Sequence, residues 1–331
     1  MTDRKASVQH ITIPSDEDGQ RFDRWFFKQF PSVPKSHLYK LIRTGQIRVN
    51  GKRIKADTRL VNADDVRIPP VADVSRQQKV LTEREKKYIR SLVIYEDADI
   101  IAIDKPYGLA SQGGTGMEKH VDYYLDGLKD KDDVKPRLVH RLDRETSGVM
   151  ILARSAEAAR AMGNILKSGK AQKYYWALTS PAMPDREGII NAPLIKGTGS
   201  AKEKIIVDRE EGKPAITAYK VIENAGKNIS SVCFLPKTGR THQIRVHASS
   251  IGAPILGDRK YGLQSEREDN ADDLSVENEI EDRLYLHAAR FSCNHPNIKE
   301  KKKSVLDIKA SLPKEMKEAL EQFGLGTRFP E

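Results

Sequence analysis

Apolar residues along this chain change period several times, from helical spacing to strand alternation to short unbroken runs, and those changes mark its elements. Phe22, Trp25 and Phe26 share a helical face that must end by Pro31, and Leu38, Leu41 and Ile42 share a second, closed at Gly45. His37, Lys40 and Arg43 fall on the opposite face of that second helix. Ile47-Arg48-Val49, the turn Asn50-Gly51 and Lys52-Arg53-Ile54 then read as a hairpin. Val93-Ile94-Tyr95 and Ile100-Ile101-Ala102-Ile103 are predicted strands around an acidic turn. Val121, Tyr124, Leu125 and Leu128 mark one amphipathic helix, and Ala158, Met162, Ile165 and Leu166 another behind a Ser155 cap. Pro313, Met316, Leu320 and Phe323 describe a last helix closed by Gly324. Short strands dominate the remainder.

These changes of pattern divide the chain. Residues 1–19 read as a polar tail, partly disordered apart from a short strand at His10-Ile11-Thr12-Ile13. Residues 20–75 form a small basic module, 76–90 a linker with a helical stretch at Glu83-Arg84-Glu85-Lys86-Lys87, and 91–331 a larger domain. Gln264 to Asp282 reads as an acidic surface insertion. A net charge of +10 over 331 residues suits a polyanionic partner, because Lys and Arg displace counterions from phosphate. Lys40, Arg43, Arg48, Lys52 and Arg53 crowd onto elements that fold together, so the charge is concentrated there as a phosphate-contacting patch. Cys233 and Cys293 are too few for a disulfide framework and are expected as reduced core thiols. The chain has no apolar run long enough to span a bilayer and begins on a polar stretch, so a cytoplasmic protein is expected; a monomer is expected as well.

The densest chemistry lies in His140-Arg141-Leu142-Asp143-Arg144-Glu145-Thr146-Ser147-Gly148, between the apolar runs 137–139 and 149–153. Alone, such a stretch reads as a solvated turn. Three further blocks accompany it: Gln172-Lys173-Tyr174-Tyr175-Trp176-Ala177-Leu178, then Lys237-Thr238-Gly239-Arg240-Thr241-His242-Gln243-Ile244-Arg245-Val246-His247, then Gly252-Ala253-Pro254-Ile255-Leu256-Gly257-Asp258 running to Tyr261-Gly262. No phosphate-cradling loop, dinucleotide fingerprint or zinc spacing is present; His242 and His247 are five apart and lack an acidic partner motif. Thr-Ser-Gly lacks the nucleophile elbow of a serine hydrolase.

The nonapeptide and the three blocks, in this order, resemble the RluA-type pseudouridine synthases. The helices and hairpin of residues 20–75 likewise resemble a small RNA-binding module shared with a ribosomal small-subunit protein and tyrosyl-tRNA synthetases. The resemblance implies an α+β fold, a mixed and mainly antiparallel sheet with flanking helices, preceded by an α/β module of the ribosomal-protein S-four type. It implies isomerisation of uridine in RNA without cofactor or metal, with Asp143 as the catalytic carboxylate. Tyr175 would stack on the extruded base and assist proton removal from carbon 5. Arg245, in the first turn of a helix, reads ordinarily as a phosphate contact or surface ion pair; the resemblance implies that it holds Asp143 instead, with Arg240 the rival for that role. Arg141 would help hold the flipped nucleotide, and His140 would order the turn at the RNA site. Attack on carbon 1′, attack on carbon 6 and a glycal route all remain open. Large-subunit ribosomal RNA is the implied partner, transfer RNA an alternative. A non-catalytic assembly factor of the same fold would be expected to have lost Asp143, Tyr175 or Arg245. Arg290 stands where an apolar residue is expected after Leu286-His287-Ala288-Ala289.

Overall fold

The computed structural model describes residues 7–30, 33–71, 81–113, 119–131, 133–199, 204–262, 280–296 and 305–329. The chain forms two compact units, divided between Val80 and Leu81. In the first, the described elements are β1 (Gln9–Thr12), α1 (Phe22–Gln29), α2 (Lys35–Arg43), β2 (Arg48–Val49), β3 (Lys52–Arg53) and β4 (Asp65–Ile68). The strands pair antiparallel in the order β1-β4-β2-β3. Phe22, Trp25, Phe26, Leu38, Ile47, Leu60, Val66 and Ile68 make the core, so the helical faces and the hairpin are those the spacing predicts. Asn50 and Gly51 both take positive φ, the backbone a two-residue hairpin turn requires.

Within the polar tail expected over 1–19, the short strand expected at His10-Ile11-Thr12-Ile13 is present as β1, and the correction concerns the order that continues beyond it to Glu17. β1 pairs with β4, Ile13 is buried, and the buried Glu17 accepts a 2.6 Å hydrogen bond from the Trp25 indole and a 2.7 Å one from Lys28. Those partners outweigh burial and hold the Glu17 carboxyl below its ordinary range. A single tethered carboxylate and two isoleucines are enough to anchor a stretch whose composition looks unstructured.

The second unit begins with α3 (Glu83–Ser91), β5 (Val93–Glu96), β6 (Ile100–Lys105), α4 (Val121–Tyr124), β7 (Arg137–Leu138), β8 (Ser147–Ala153), α5 (Ala156–Lys167) and β9 (Gln172–Thr179). It continues with β10 (Glu187–Asn191), β11 (Leu194–Lys196), β12 (Ile205–Val207), β13 (Ile216–Ala225), β14 (Ile229–Pro236), α6 (Gln243–Ser250), β15 (Leu286–Asn294), β16 (Val305–Lys309) and α7 (Lys314–Gln322). The main sheet runs β10-β13-β14-β9-β15-β8-β6-β5, with β16 on β15 and β7 on β8, and β11 with β12 forms a separate ribbon. Its pairings are antiparallel apart from β8 with β15, where Ser147 and Gly148 lie opposite His287 and Ala288. This is the mixed, mainly antiparallel sheet with flanking helices that the sequence implied.

Other boundaries differ from expectation. Residues 81–90 are not linker: Thr82 and Glu85 form a reciprocal capping box for α3, and Leu81 and Ile89 are buried in the larger unit's core. The helix expected over 121–128 is one α-turn followed by a 3-10 turn, Leu125–Leu128. Arg290 is accommodated on β15 because both guanidinium arms reach Asp307 on β16 at 2.7 Å. The acidic insertion lies, up to residue 279, outside the described residues. Cys233 and Cys293 are free, and burial pushes both thiols up to about 11. Among the described residues no helix is long and apolar enough to cross a membrane.

The parallel contact between β8 and β15 positions the chemistry. Gly148 has φ +107, and a Cβ there would sit 2.3 Å from the Ala288 carbonyl oxygen, so only glycine lets the two strands close. Ala288 in turn pairs with Tyr175 on β9. The polar turn before β8 is thereby brought to Tyr175.

Candidate active site

The loop from β7 to β8 carries Asp143 and is pinned from several sides. Ser111 donates from Oγ to the Leu142 carbonyl at 2.6 Å and accepts the Leu142 N–H at 3.0 Å. The Gly108 N–H donates to the Arg144 carbonyl at 2.9 Å. Lys105, wholly buried at the end of β6, donates from Nζ to the carbonyls of Leu109, Pro106 and Arg144 at 2.7, 3.0 and 3.3 Å. Three acceptors match the three protons of an ammonium. Burial nevertheless pushes this group down to about 7, with the charges of Asp143 and Asp104 opposing the shift.

His140 ties the start of the loop to β8. Its ring stacks on Phe291 with centroids 6.0 Å apart, and its Nε2 accepts the Ile151 N–H at 2.9 Å. Burial pushes it down to about 4, so the ring is neutral and its remaining proton is on Nδ1. With Nε2 committed to β8, that atom does not serve as the RNA contact implied for this residue.

The Asp143 side chain is 34% exposed, and Nε2 of His242 lies 3.9 Å from its Oδ2. Tyr175 faces the same space. Trp176 and Leu178 pack with α7 on one side of β9, while Tyr175 packs on the other, against the cluster containing Leu142 and the cluster beneath α6. The alternation along β9 is therefore the one predicted. Burial, and secondarily the charge of Asp143, push the Tyr175 phenol well above its ordinary range.

Arg245 corrects the expectation. It lies in the first turn of α6 and is 3% exposed, yet its paired hydrogen bonds go to Asp258, from Nε and Nη2 at 2.7 Å each, rather than to Asp143. Its Nη1 is 3.3 Å from Glu145, and its guanidinium lies over the Tyr261 ring at 5.2 Å. Burial works against its charge, but Asp258 outweighs burial, with Glu145 and Asp143 adding smaller effects. Arg245 thus reaches the Asp143 loop through Glu145, with no direct contact to Asp143. Arg240 does not replace it: that side chain is exposed and donates to the Pro214 carbonyl at 3.1 Å. Arg141 is exposed on the Asp143 loop.

Several residues here were not singled out from the sequence. Asp258 accepts from the N–H groups of Lys260 and Tyr261 as well as from Arg245. His242 caps α6 in the left-handed region, φ 53°, with Nδ1 2.7 Å from the Tyr261 hydroxyl. Gln243 fixes the preceding turn, accepting from Thr238 and from the Arg240 N–H while donating to Ile216 and Thr217. The signal was available in part, since all of these stand inside the four blocks of the sequence.

In the first unit, Lys40, Arg43, Arg48, Lys52 and Arg53 are all exposed. Arg53, Arg48 and Arg67 face one another in register across β3, β2 and β4. Like charges opposed in this way repel. Among the described residues none of the five has a carboxylate partner, which leaves a ridge of uncompensated positive charge.

Residues 99–250 match the family model of RNA pseudouridylate synthases, and residues 20–66 match that of the S4 domain. Ribosomal large subunit pseudouridine synthase C of Salmonella typhi is 36% identical over 328 residues, covering 97% of this chain and 98% of that protein. The protein of the same name from Buchnera aphidicola is 37% identical over 303 residues, covering 91% and 94%. Among solved structures, human RNA pseudouridylate synthase domain containing 4 superposes with a TM-score of 0.61 at 24% identity, over 75% of this chain and 99% of that one, and so shares the fold. The chain belongs to the RluA-type RNA pseudouridine synthases.

Proposed function

We propose that this synthase isomerises specific uridines of large-subunit ribosomal RNA in the cytoplasm, with Asp143 as the reacting carboxylate. The reaction breaks the bond from ribose carbon 1′ to uracil nitrogen 1 and joins carbon 1′ to carbon 5; carbon 5 loses a proton and nitrogen 1 gains one. No electrons are exchanged with any other molecule, so the chain's own side chains suffice. The observation that carries the reading is a partly exposed carboxylate on a rigidly pinned loop, beside a half-buried tyrosine and near a buried arginine. Near-complete coverage of relatives named for the large ribosomal subunit supports the choice of RNA.

Asp143 attacks carbon 1′ or carbon 6, or opens the glycal route, once the target nucleotide has left its stack. Tyr175 supplies a ring face for the uracil. Its phenol stays protonated near neutrality, as an ordinary phenol does, so the ring meets the uracil in its neutral form. Arg245 serves by holding Glu145 and Asp258, and with them the two loops around Asp143. Arg141 and Arg240, exposed near this loop and before α6, contact the RNA backbone. Residues 20–75 add sequence-independent grip through the arginine ridge, and the larger unit does the chemistry.

The test of substrate is pseudouridine mapping on unmodified transcripts of large-subunit RNA, small-subunit RNA and transfer RNA incubated with the protein. Primer-extension stops after carbodiimide treatment are expected in the large-subunit transcript alone. Stops confined to transfer RNA would overturn the substrate, and stops nowhere would favour the assembly-factor reading.

A further inference from the structure

We propose that His242 is a positioning residue for this reaction, orienting the Asp143 carboxylate as a donor whose tautomer is set by Tyr261. The proposal rests on the reading of Asp143 given above. Three observations lead to it. The first is a relay of polar contacts: the Ile205 N–H donates to the Tyr261 hydroxyl at 3.0 Å, that hydroxyl lies 2.7 Å from His242 Nδ1, and His242 Nε2 lies 3.9 Å from Asp143 Oδ2. A tyrosine oxygen that already accepts one hydrogen bond has its own proton free to give to Nδ1. A neutral ring then carries its proton on Nε2, facing the carboxylate. The reverse tautomer would set a lone pair against a negative oxygen.

The second observation is conformational. His242 is held at φ 53°, ψ 20°, a left-handed conformation that costs a residue with a Cβ and persists only where surrounding structure enforces it. The enforcing structure is Gln243, whose side chain makes four hydrogen bonds to the turn and to β13. Without the left-handed cap the ring would not project from the helix start towards Asp143. The third is chemical. Among the described residues no side chain donates a hydrogen bond to the Asp143 carboxylate, because Arg245 is committed to Asp258 and Lys105 to backbone carbonyls. A carboxylate that must act in one direction has an unfilled need for a donor. The 3.9 Å separation is longer than a hydrogen bond, as such distances often are before substrate closes the site. The charged and titratable groups facing His242 are Asp143, Arg245, Asp258, Lys260 and Tyr261, and burial holds the imidazole below its ordinary value.

The experiment measures single-turnover release of tritium from transcript labelled at uracil carbon 5, together with RNA affinity and thermal melting. His242→Asn accepts the left-handed backbone and keeps a polar group for Tyr261 but cannot reach Asp143. It is expected to slow release about tenfold to a hundredfold, the loss expected for one hydrogen bond to a charged group, with RNA affinity unchanged. His242→Gln, which restores an N–H near the Nε2 position, is expected to recover much of the rate, and Tyr261→Phe to fall between. A rate for His242→Asn within about twofold of wild type, or Gln no better than Asn, would overturn the proposal; so would affinity falling in step with rate. Should His242→Asn melt early, Tyr261→Phe carries the test, and a wild-type rate there overturns it. Release by wild type that Asp143→Asn abolishes establishes the underlying reading separately; no release by wild type sinks both.

Discussion

Asp258→Ala separates what the Arg245 pair does for the fold from what it does for the chemistry. The wild-type side chains are 4% and 0% exposed and joined by two 2.7 Å hydrogen bonds, so removing Asp258 strands a guanidinium in the interior. Breaking a buried pair from one side costs about 3–5 kcal/mol. Two features of this site adjust that figure in opposite directions. Glu145 already lies 3.3 Å from Nη1 and offers a half-exposed substitute, which favours the lower end. The Lys260 and Tyr261 N–H groups lose their acceptor as well, which favours the upper end. In a unit of this size ~4 kcal/mol lowers the melting temperature by about 8–16 °C. Asp258→Asn, which keeps an acceptor oxygen for the two N–H groups, is expected to lose less. The double variant Arg245→Met, Asp258→Leu removes both charges and should recover stability to within about 1–2 kcal/mol of wild type. It should be far less active than wild type, because Arg245 no longer ties Glu145 and Asp258, and with them the two loops around Asp143. The assay is circular-dichroism melting beside tritium release. A single variant within about 1 kcal/mol of wild type, or a double variant less stable than the single, would refute the reasoning.

Other expectations follow from the same physics. Lys105 holds its proton to about 7 in the fold, with burial the main cause. In the unfolded chain it does so to roughly 10.4. Between these values the unfolded chain binds more protons, so stability should rise with pH through that window by up to ~1.4 kcal/mol per pH unit, and below about pH 7 the cost of the buried charge persists in full. Lys105→Met should flatten that slope in urea melts at about pH 7 and 9; a wild-type slope already flat would mean that its three carbonyls keep the ammonium charged throughout. Reversing Lys52 and Arg53 to Glu should weaken RNA binding and make it less sensitive to salt, the log–log slope falling by about one for each phosphate no longer neutralised. The single-turnover rate at saturating RNA should stay near wild type. A fall in that rate would contradict the assignment of grip and chemistry to different units.

What was legible in the sequence were features whose signal is local. Phe22, Trp25 and Phe26 are three and four residues apart and bury together; Asn50-Gly51 turns as that dipeptide must; Tyr175 faces away from Trp176 because strands alternate. The site was legible only as blocks. Asp258 sits in one of them, but nothing in its spacing says that it outcompetes Asp143 for Arg245, since that depends on where the turn after α6 places it. The parallel pairing of Ser147 with His287 joins residues 140 apart, and periodicity carries no information about such pairings. Glu17 and residues 81–90 depart from the pattern for one reason: a polar stretch looks like tail or linker until a single buried residue, Trp25's carboxylate partner or Ile89, anchors it.

The most direct test of the central claim is tritium release from carbon 5 of labelled large-subunit transcript by wild type and by Asp143→Asn, an exchange that preserves shape while removing the reacting carboxylate. The account predicts release with wild type, none above background with Asp143→Asn, and equal RNA affinity and melting temperature for the two. Release by Asp143→Asn at a rate near wild type would contradict it.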